Sequence, residues 1–220
     1  MTLPRHLSER SWTLLAVDVD GFWKVVERAR AAAGPAADQA RRDGQPSAVT
    51  EALVAELTSL PLPQIAAFDR VLSDVLAQTD TWDTCAACWI IEYGFLSDDG
   101  FSDFRAGLVG LGRRAFESVV NDPDSLAEHP AVQEISSSEG CGLWIGDERL
   151  LYAAQKAYER LTGDPDAFWD GVDAAEPATA PPSRSPVPTE ERWDLRSEDE
   201  WLRRLPRLAE LFLARRFPLE

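Results

Sequence analysis

Between Trp82 and Tyr93 the chain reads WDTCAACWIIEY, with charges only at Asp83 and Glu92. At helical pitch Trp82, Cys85, Ala86, Ala87, Cys88, Trp89, Ile90 and Ile91 leave no polar face, and a helix that is apolar all round has to be surrounded by other elements. This stretch predicts a buried central helix over about 82–93. Around it the sequence predicts an all-α, compact multi-helix domain.

Gly94 suits the C-cap of that helix, and Phe95-Leu96 is short enough to return the chain as an antiparallel neighbour. Ser97, Asp98 and Asp99 are N-cap and first-turn residues, because their oxygens accept orphan N–H groups and their charge favours the positive end of the helix dipole. The helix they start is expected over 98–120. Turning about 100° per residue from Phe101, the residues Phe104, Leu108, Leu111, Ala115 and Val119 hold one apolar face. Gly107, Gly110 and Gly112 each cost about 1 kcal/mol against Ala in a helix interior, which implies either a close helix approach or a break near residue 110. Asn121-Asp122-Pro123 is the stop, since proline cannot continue the ladder.

The charges on this pair of helices are the candidate binding residues. Asp99 and Asp103 lie one turn apart, opposite the apolar face, and look toward water or a ligand. Arg105 falls at the edge of the apolar face on the side of Asp98. A half-buried cation needs a partner; Asp98 is the expected one, with Asp83 and Glu92 as substitutes. Asp83 and Glu92 either pair with Arg105 or sit at the helix ends in water. Asp99 and Asp103 could share a divalent cation such as Mg²⁺, which takes only one or two protein carboxylates. Without it their repulsion costs only about 0.2–0.5 kcal/mol, so capping with a solvated acidic face explains the pair as well. No cofactor is required and no catalytic residue is assigned.

The residues Ser97-Asp98-Asp99-Gly100-Phe101, Phe104-Arg105, Leu108, Gly112, Phe116 and Pro123-Asp124-Ser125-Leu126-Ala127 form a specific pattern. With Asp20-Gly21-Phe22-Trp23 before it and Ala153 to Gly163 after it, the pattern resembles bacterial proteins grouped as domain of unknown function 4240, over residues 18–165. Such proteins carry a Cys where this chain has Leu96, and an Asp-Leu-Trp-Ala-Ala run where it has Asp83-Thr84-Cys85-Ala86-Ala87, so that the Trp contact there is missing or shifted to Trp82 or Trp89. The resemblance implies a helical fold and no assigned activity.

The rest of the chain reads as amphipathic helix and connection. A leader over 1–17 contains the apolar run Trp12 to Val17. Asp18 or Asp20 caps a helix ended by Gly34-Pro35, Ala36 to Ser47 is a polar connection, and helices follow over Thr50 to Leu60 and from Ile65 through Leu76. Glu134 to Gly142 reads as a loop, and Leu150 to Leu161 as a helix closed by Gly163. Asp166-Ala167-Phe168-Trp169 reads as a cap followed by first-turn aromatics docking on the core. The helical domain thus spans 18–173. Residues 174–190 hold five of the fifteen prolines and form a semi-rigid linker. In the 191–220 tail Ser197 to Glu200 is a capping box, followed by an amphipathic helix interrupted by Pro206. From Trp201 to Glu220 the arginines Arg203, Arg204, Arg207, Arg215 and Arg216 outnumber Glu210 and Glu220, so this piece is basic and either folds back on the acidic body, the favoured expectation, or recruits a partner.

With 22 cations against 38 anions the formal net charge is −16, and such a surface repels a phosphate backbone. Nucleic acid is excluded as a partner. No run approaches the roughly 18 apolar residues of a membrane span, and the N-terminus lacks a cationic apolar signal, so the expected location is the cytoplasm. The sequence sets no oligomeric state. The three cysteines read as small core residues, because Cys85 and Cys88 have no preceding strand and zinc has too few ligands. His6 and His129 lack a partner for acid–base work. Two functions remain. The preferred one is a non-catalytic binding or adaptor module that meets a protein partner through the acidic face or the tail. The alternative is a metal-assisted hydrolase or phosphoryl-transfer enzyme built on Asp98, Asp99 and Asp103.

Overall fold

A side-chain oxygen at the N-cap starts the helices that follow Asp18, Ser47, Thr81, Ser97 and Ser197. The computed structural model describes residues 17–42, 45, 47–94, 96–138, 142–175 and 192–216. The expected leader up to residue 16 with His6, Phe95, Cys141 and the proline-rich stretch 176–191 lie outside the described residues. Helix α1 (Val19–Ala33) begins where Asp18 Oδ1 accepts the Gly21 N–H at 2.7 Å. A 3₁₀ turn (Gly34–Asp38) leads to the two-residue strand β1 (Arg41–Arg42), then to α2 (Ala48–Thr58) and α3 (Leu62–Ala77). Thr81 accepts the Thr84 N–H and opens α4 (Trp82–Ile91).

Thr84, Ala86, Ala87, Cys88, Ile90 and Ile91 of α4 are buried. The helix ends through Tyr93 at φ 54° and Gly94 at φ 81°, with the Gly94 N–H on the Trp89 carbonyl at 2.8 Å. Helix α5 (Asp98–Gly110) follows, with Ser97 Oγ accepting the Gly100 N–H at 3.0 Å. The single helix expected over 98–120 is two helices. Gly112, at φ 91°, breaks it, and α6 (Arg113–Asn121) starts beyond. The break is found at Gly112, while the close approach is at Gly107 and is made by the non-helical backbone of Ile145 rather than by a helix. A Cβ on Gly107 would lie 2.1 Å from the Ile145 carbonyl oxygen, which is the close approach, while Gly112 supplies the left-handed backbone of the break. The apolar face survives the break, since Phe104, Leu108, Leu111 and Val119 are buried and Phe101 and Ala115 are half-buried against the core.

After a 3₁₀ turn (Pro123–Glu128) comes α7 (Pro130–Ser137), so the first part of the expected loop over 134–142, Glu134 to Ser137, is helical. His129, read as a loop residue, is its N-cap and accepts the Ala131 N–H on Nδ1 at 3.2 Å. Burial of Val132 and Ile135 outweighs the serine content of this stretch. Strand β2 (Leu143–Trp144) then pairs antiparallel with β1, Trp144 opposite Arg41 and Leu143 opposite Arg42. The helix expected over 150–161 is divided at Tyr152 into α8 (Glu148–Leu151) and α9 (Ala153–Thr162), and α10 (Ala167–Ala175) follows. Phe168 docks, but its neighbour Trp169 is exposed.

The tail folds back. Helices α11 (Glu198–Arg204) and α12 (Pro206–Arg216) pack on the body with Trp201, Leu205, Leu208 and Phe212 buried, each contributing on the order of 1.5–3 kcal/mol. Asp124 caps α12 from outside the helix, its carboxylate accepting the Arg207 N–H at 3.0 Å and the Leu208 N–H at 2.8 Å. The Arg207 guanidinium bonds to Asp122, Asp124 and Glu128. Only half of the expected capping box forms. Ser197 caps the Glu200 N–H, whereas the Glu200 carboxylate turns to Arg203 and Arg204. The result surrounds α4 with α5, α7, α12 and the second 3₁₀ turn. Its seam with α5 is narrow, because α5 packs most widely against α8. No described helix is long and apolar enough to cross a membrane.

Candidate functional site

The C-terminal end of α4, the N-terminal turns of α5 and the β1–β2 ribbon meet around an open cleft of about 360 Å³. Its charges are Arg41, Glu92 and Asp103, and Leu96, Ser97, Gly100, Trp144 and Gly146 complete the wall. The local sequence explains the assembly. Gly107 lets the backbone of Ile145 lie on α5, and the Asp147 N–H donates to the Asp103 carbonyl at 2.9 Å. Gly146 passes between Glu92 and α5, where a Cβ would be 3.3 Å from both Glu92 Oε1 and the Phe104 nitrogen. Arg41 fastens the other side, Nε donating to the Gly146 carbonyl at 2.7 Å and Nη1 to Gln45 at 3.3 Å.

Glu92 is 5 % exposed. Its carboxylate accepts a long 3.3 Å bond from the Gly146 N–H and a weak 3.8 Å one from the Cys88 thiol. Burial therefore wins over these donors and over the charge of Arg41, and pushes Glu92 up to about 7. Asp103 is also raised, by desolvation first and then by Glu148 and Asp99, with Arg41 opposing. Asp147 is buried and bound, accepting the Thr50 hydroxyl at 2.6 Å.

Of the six residues singled out from sequence, the structure brings Glu92 and Asp103 into one cleft. Asp98 and Asp99 are exposed on the first turn of α5. Arg105 pairs with none of Asp98, Asp83 or Glu92. Its Nη1 lies 3.8 Å from Asp80, its guanidinium sits 5.0 Å over the Phe101 ring, and its buried Nε has no acceptor. Asp80 precedes α4, at the opposite end from Glu92, and the Arg105 side chain runs toward that end. Asp83 is taken by the tail, accepting the Trp193 indole N–H at 2.9 Å. Arg41, Trp144 and Gly146 carried no sequence signal beyond two short apolar or basic pairs.

The two described thiols, Cys85 and Cys88, are not poised for chemistry. Cys85 is pushed up to about 11 by burial and then by Asp80, and Cys88 is driven upward by burial and by Glu92. Among the described residues no three His, Cys, Asp or Glu side chains are grouped to hold a metal ion; Mg²⁺ held by one or two carboxylates is a different arrangement.

The profile of a family described as Protein of unknown function (DUF4240) matches residues 17–160. No curated protein and no solved structure matches the chain.

Proposed function

The chain belongs to the DUF4240 family, and from that premise we propose that it is a non-catalytic binding module of the cytoplasm whose contact surface is the cleft of Arg41, Glu92 and Asp103. One observation supports this above the others. A carboxyl is held 5 % exposed at an open cleft with a long hydrogen bond from Gly146 and a weak one from the Cys88 thiol to steady it. Such a group lowers fold stability once ionised, whereas a ligand bearing N–H donors would supply the missing partners. The tail is the weaker contact surface, because its apolar side is spent on the body. Among the described residues no histidine or cysteine lines the cleft, and Ser97 Oγ is engaged as a helix cap.

The test is thermal melting of the full chain against a panel of small amines, amino acids and carboxylic acids. At least one class should raise Tm at millimolar concentration, and Glu92→Gln and Asp103→Asn should each diminish that rise. No rise with any class, or a rise indifferent to both variants, removes the reading.

The metal-assisted hydrolase or phosphoryl-transfer reading is favoured by one fact, the crowding of Asp99, Asp147 and Glu148 around a raised Asp103. Mg²⁺-dependent cleavage of a nitrophenyl phosphate that disappears in Asp99→Asn and Asp103→Asn would put that reading ahead.

A further inference from the structure

Opposite charges in the same cleft ordinarily collapse onto each other, since an arginine and a carboxylate gain a charge-assisted pair by doing so. Here they do not. Among the described residues no carboxylate oxygen comes within the 4.0 Å ion-pair limit of the Arg41 guanidinium, although Glu92 and Asp103 share its cleft. Arg41 is prevented from moving by its bonds to the Gly146 and Gln45 carbonyls, and Nη2 keeps no bond among the described residues. Glu92 is prevented by burial and by the Gly146 N–H. The fold thus keeps a positive and a negative pole apart across one small space.

A simple cation would satisfy the carboxylates and leave Arg41 facing it. A simple anion would satisfy Arg41, against two carboxylates and a net charge of −16. A molecule carrying both charges answers both poles. Resting on the binding reading above, we propose that the cleft takes a small zwitterion of the α-amino-acid class, its ammonium on Glu92 and Asp103 and its carboxylate on Arg41. The volume of about 360 Å³ stands at the lower end of ligand pockets, about 300–1,000 Å³, as a molecule of that size requires. Trp144 and Leu96 give its side chain an apolar wall.

The experiment titrates the full chain calorimetrically with the common amino acids, then with the decarboxylated amine and the N-acetyl derivative of the best binder. The amino acid should bind roughly tenfold or more tighter than either analogue, the equivalent of one charge-assisted contact. Glu92→Gln should abolish its advantage over the N-acetyl derivative, and Arg41→Met its advantage over the amine. Because Arg41 also holds the Gly146 carbonyl, Arg41→Lys is measured beside it. A variant that melts like the parent and regains the preference over the amine confirms a charge at the carboxylate. An amine that binds as tightly as its amino acid overturns the zwitterion while leaving the cleft a cation-binding site. An N-acetyl derivative that binds as tightly overturns the zwitterion while leaving the cleft a binding site, and no binding by any compound overturns both readings.

Discussion

Two of the places where this molecule sets an arginine among carboxylates do opposite things. At the tail, Arg207 is closed in by Asp122, Asp124 and Glu128, and Asp124 also accepts two backbone N–H groups of α12. In the cleft, Arg41 is tied to carbonyls while Glu92 and Asp103 stay beyond ion-pair reach. The first arrangement spends all its bonding capacity on the fold. The second leaves it open to solvent, at a cost in stability, and this is why the cleft rather than the clasp is the candidate site.

The largest effect should come from breaking the closed arrangement. Asp124→Ala removes a carboxylate that is 3 % exposed, uncaps α12 and strands Arg207, so a loss of about 3–5 kcal/mol is expected in urea unfolding. Asp124→Asn, which keeps one acceptor, should lose less. If Asp124→Ala stays within 1 kcal/mol of the parent, by the scale of an ordinary surface pair, the clasp does not hold the tail.

The open arrangement should show the reverse sign through pH. Glu92 has a native value of about 7 against 4.5 for the free group, so between these limits the folded chain binds more protons than the unfolded one. Its contribution is complete below pH 4.5 and is lost as pH rises through about 7. The loss is on the order of 3 kcal/mol. Glu92→Gln should therefore be more stable than the parent at pH 8, the gap shrinking toward pH 5. The difference between the two profiles isolates Glu92 from Asp69, which burial also lifts, to about 6. A pH-independent gap would mean that Glu92 is solvated and the cleft is not a desolvated pole.

Gly107 tests what keeps the cleft in shape. Ala at this position would set a Cβ against the Ile145 carbonyl, and the strand segment cannot yield without dragging Gly146 off Glu92. A loss of about 1–3 kcal/mol is expected, in the range of overpacking, together with weaker binding by the cleft. Normal stability in Gly107→Ala would show that the 143–147 segment rides loosely on α5.

The same contrast marks how far the sequence could be read. The central helix and the caps at Ser97 and Ser197 were legible, because each rests on local periodicity or on one side chain meeting its own turn. The sequence narrows the cap of α1 to Asp18 or Asp20, and its glycines mark a break near 110 as one alternative, although a single helix is expected over 98–120. Glu92 and Asp103 stood out as charges interrupting or opposing apolar faces. Arg41 and Trp144 did not, since a two-residue strand has no period to detect and its pairing joins segments about a hundred residues apart. Asp124 was visible only as part of a motif. Its bond to Leu208 spans 84 residues, and no local rule anticipates a helix capped from that distance. For Arg105 the right inference, that a half-buried cation wants a partner, was attached to the wrong carboxylates, because helical wheels place residues around an axis and not along it.

Arg105 stands between the two arrangements and should give the smallest effect. It meets Asp80, whose side chain is 46 % exposed, at 3.8 Å, and an exposed pair of that kind contributes about 0–1 kcal/mol. Stacking on Phe101 adds about 0.5–1 kcal/mol at most. Against this, its buried Nε lacks an acceptor, a penalty that truncation removes. Arg105→Met keeps the alkyl stem over Phe101 and relieves the Nε, so its stability should fall within about 0.5 kcal/mol of the parent, the range of ordinary surface substitutions. Arg105→Ala should cost about 1 kcal/mol through the lost packing. The Arg105–Asp80 double-mutant cycle should return a coupling below about 1 kcal/mol. A coupling of several kcal/mol would make Arg105 and Asp80 a second closed clasp, binding the start of α4 to α5 as Arg207 binds the tail.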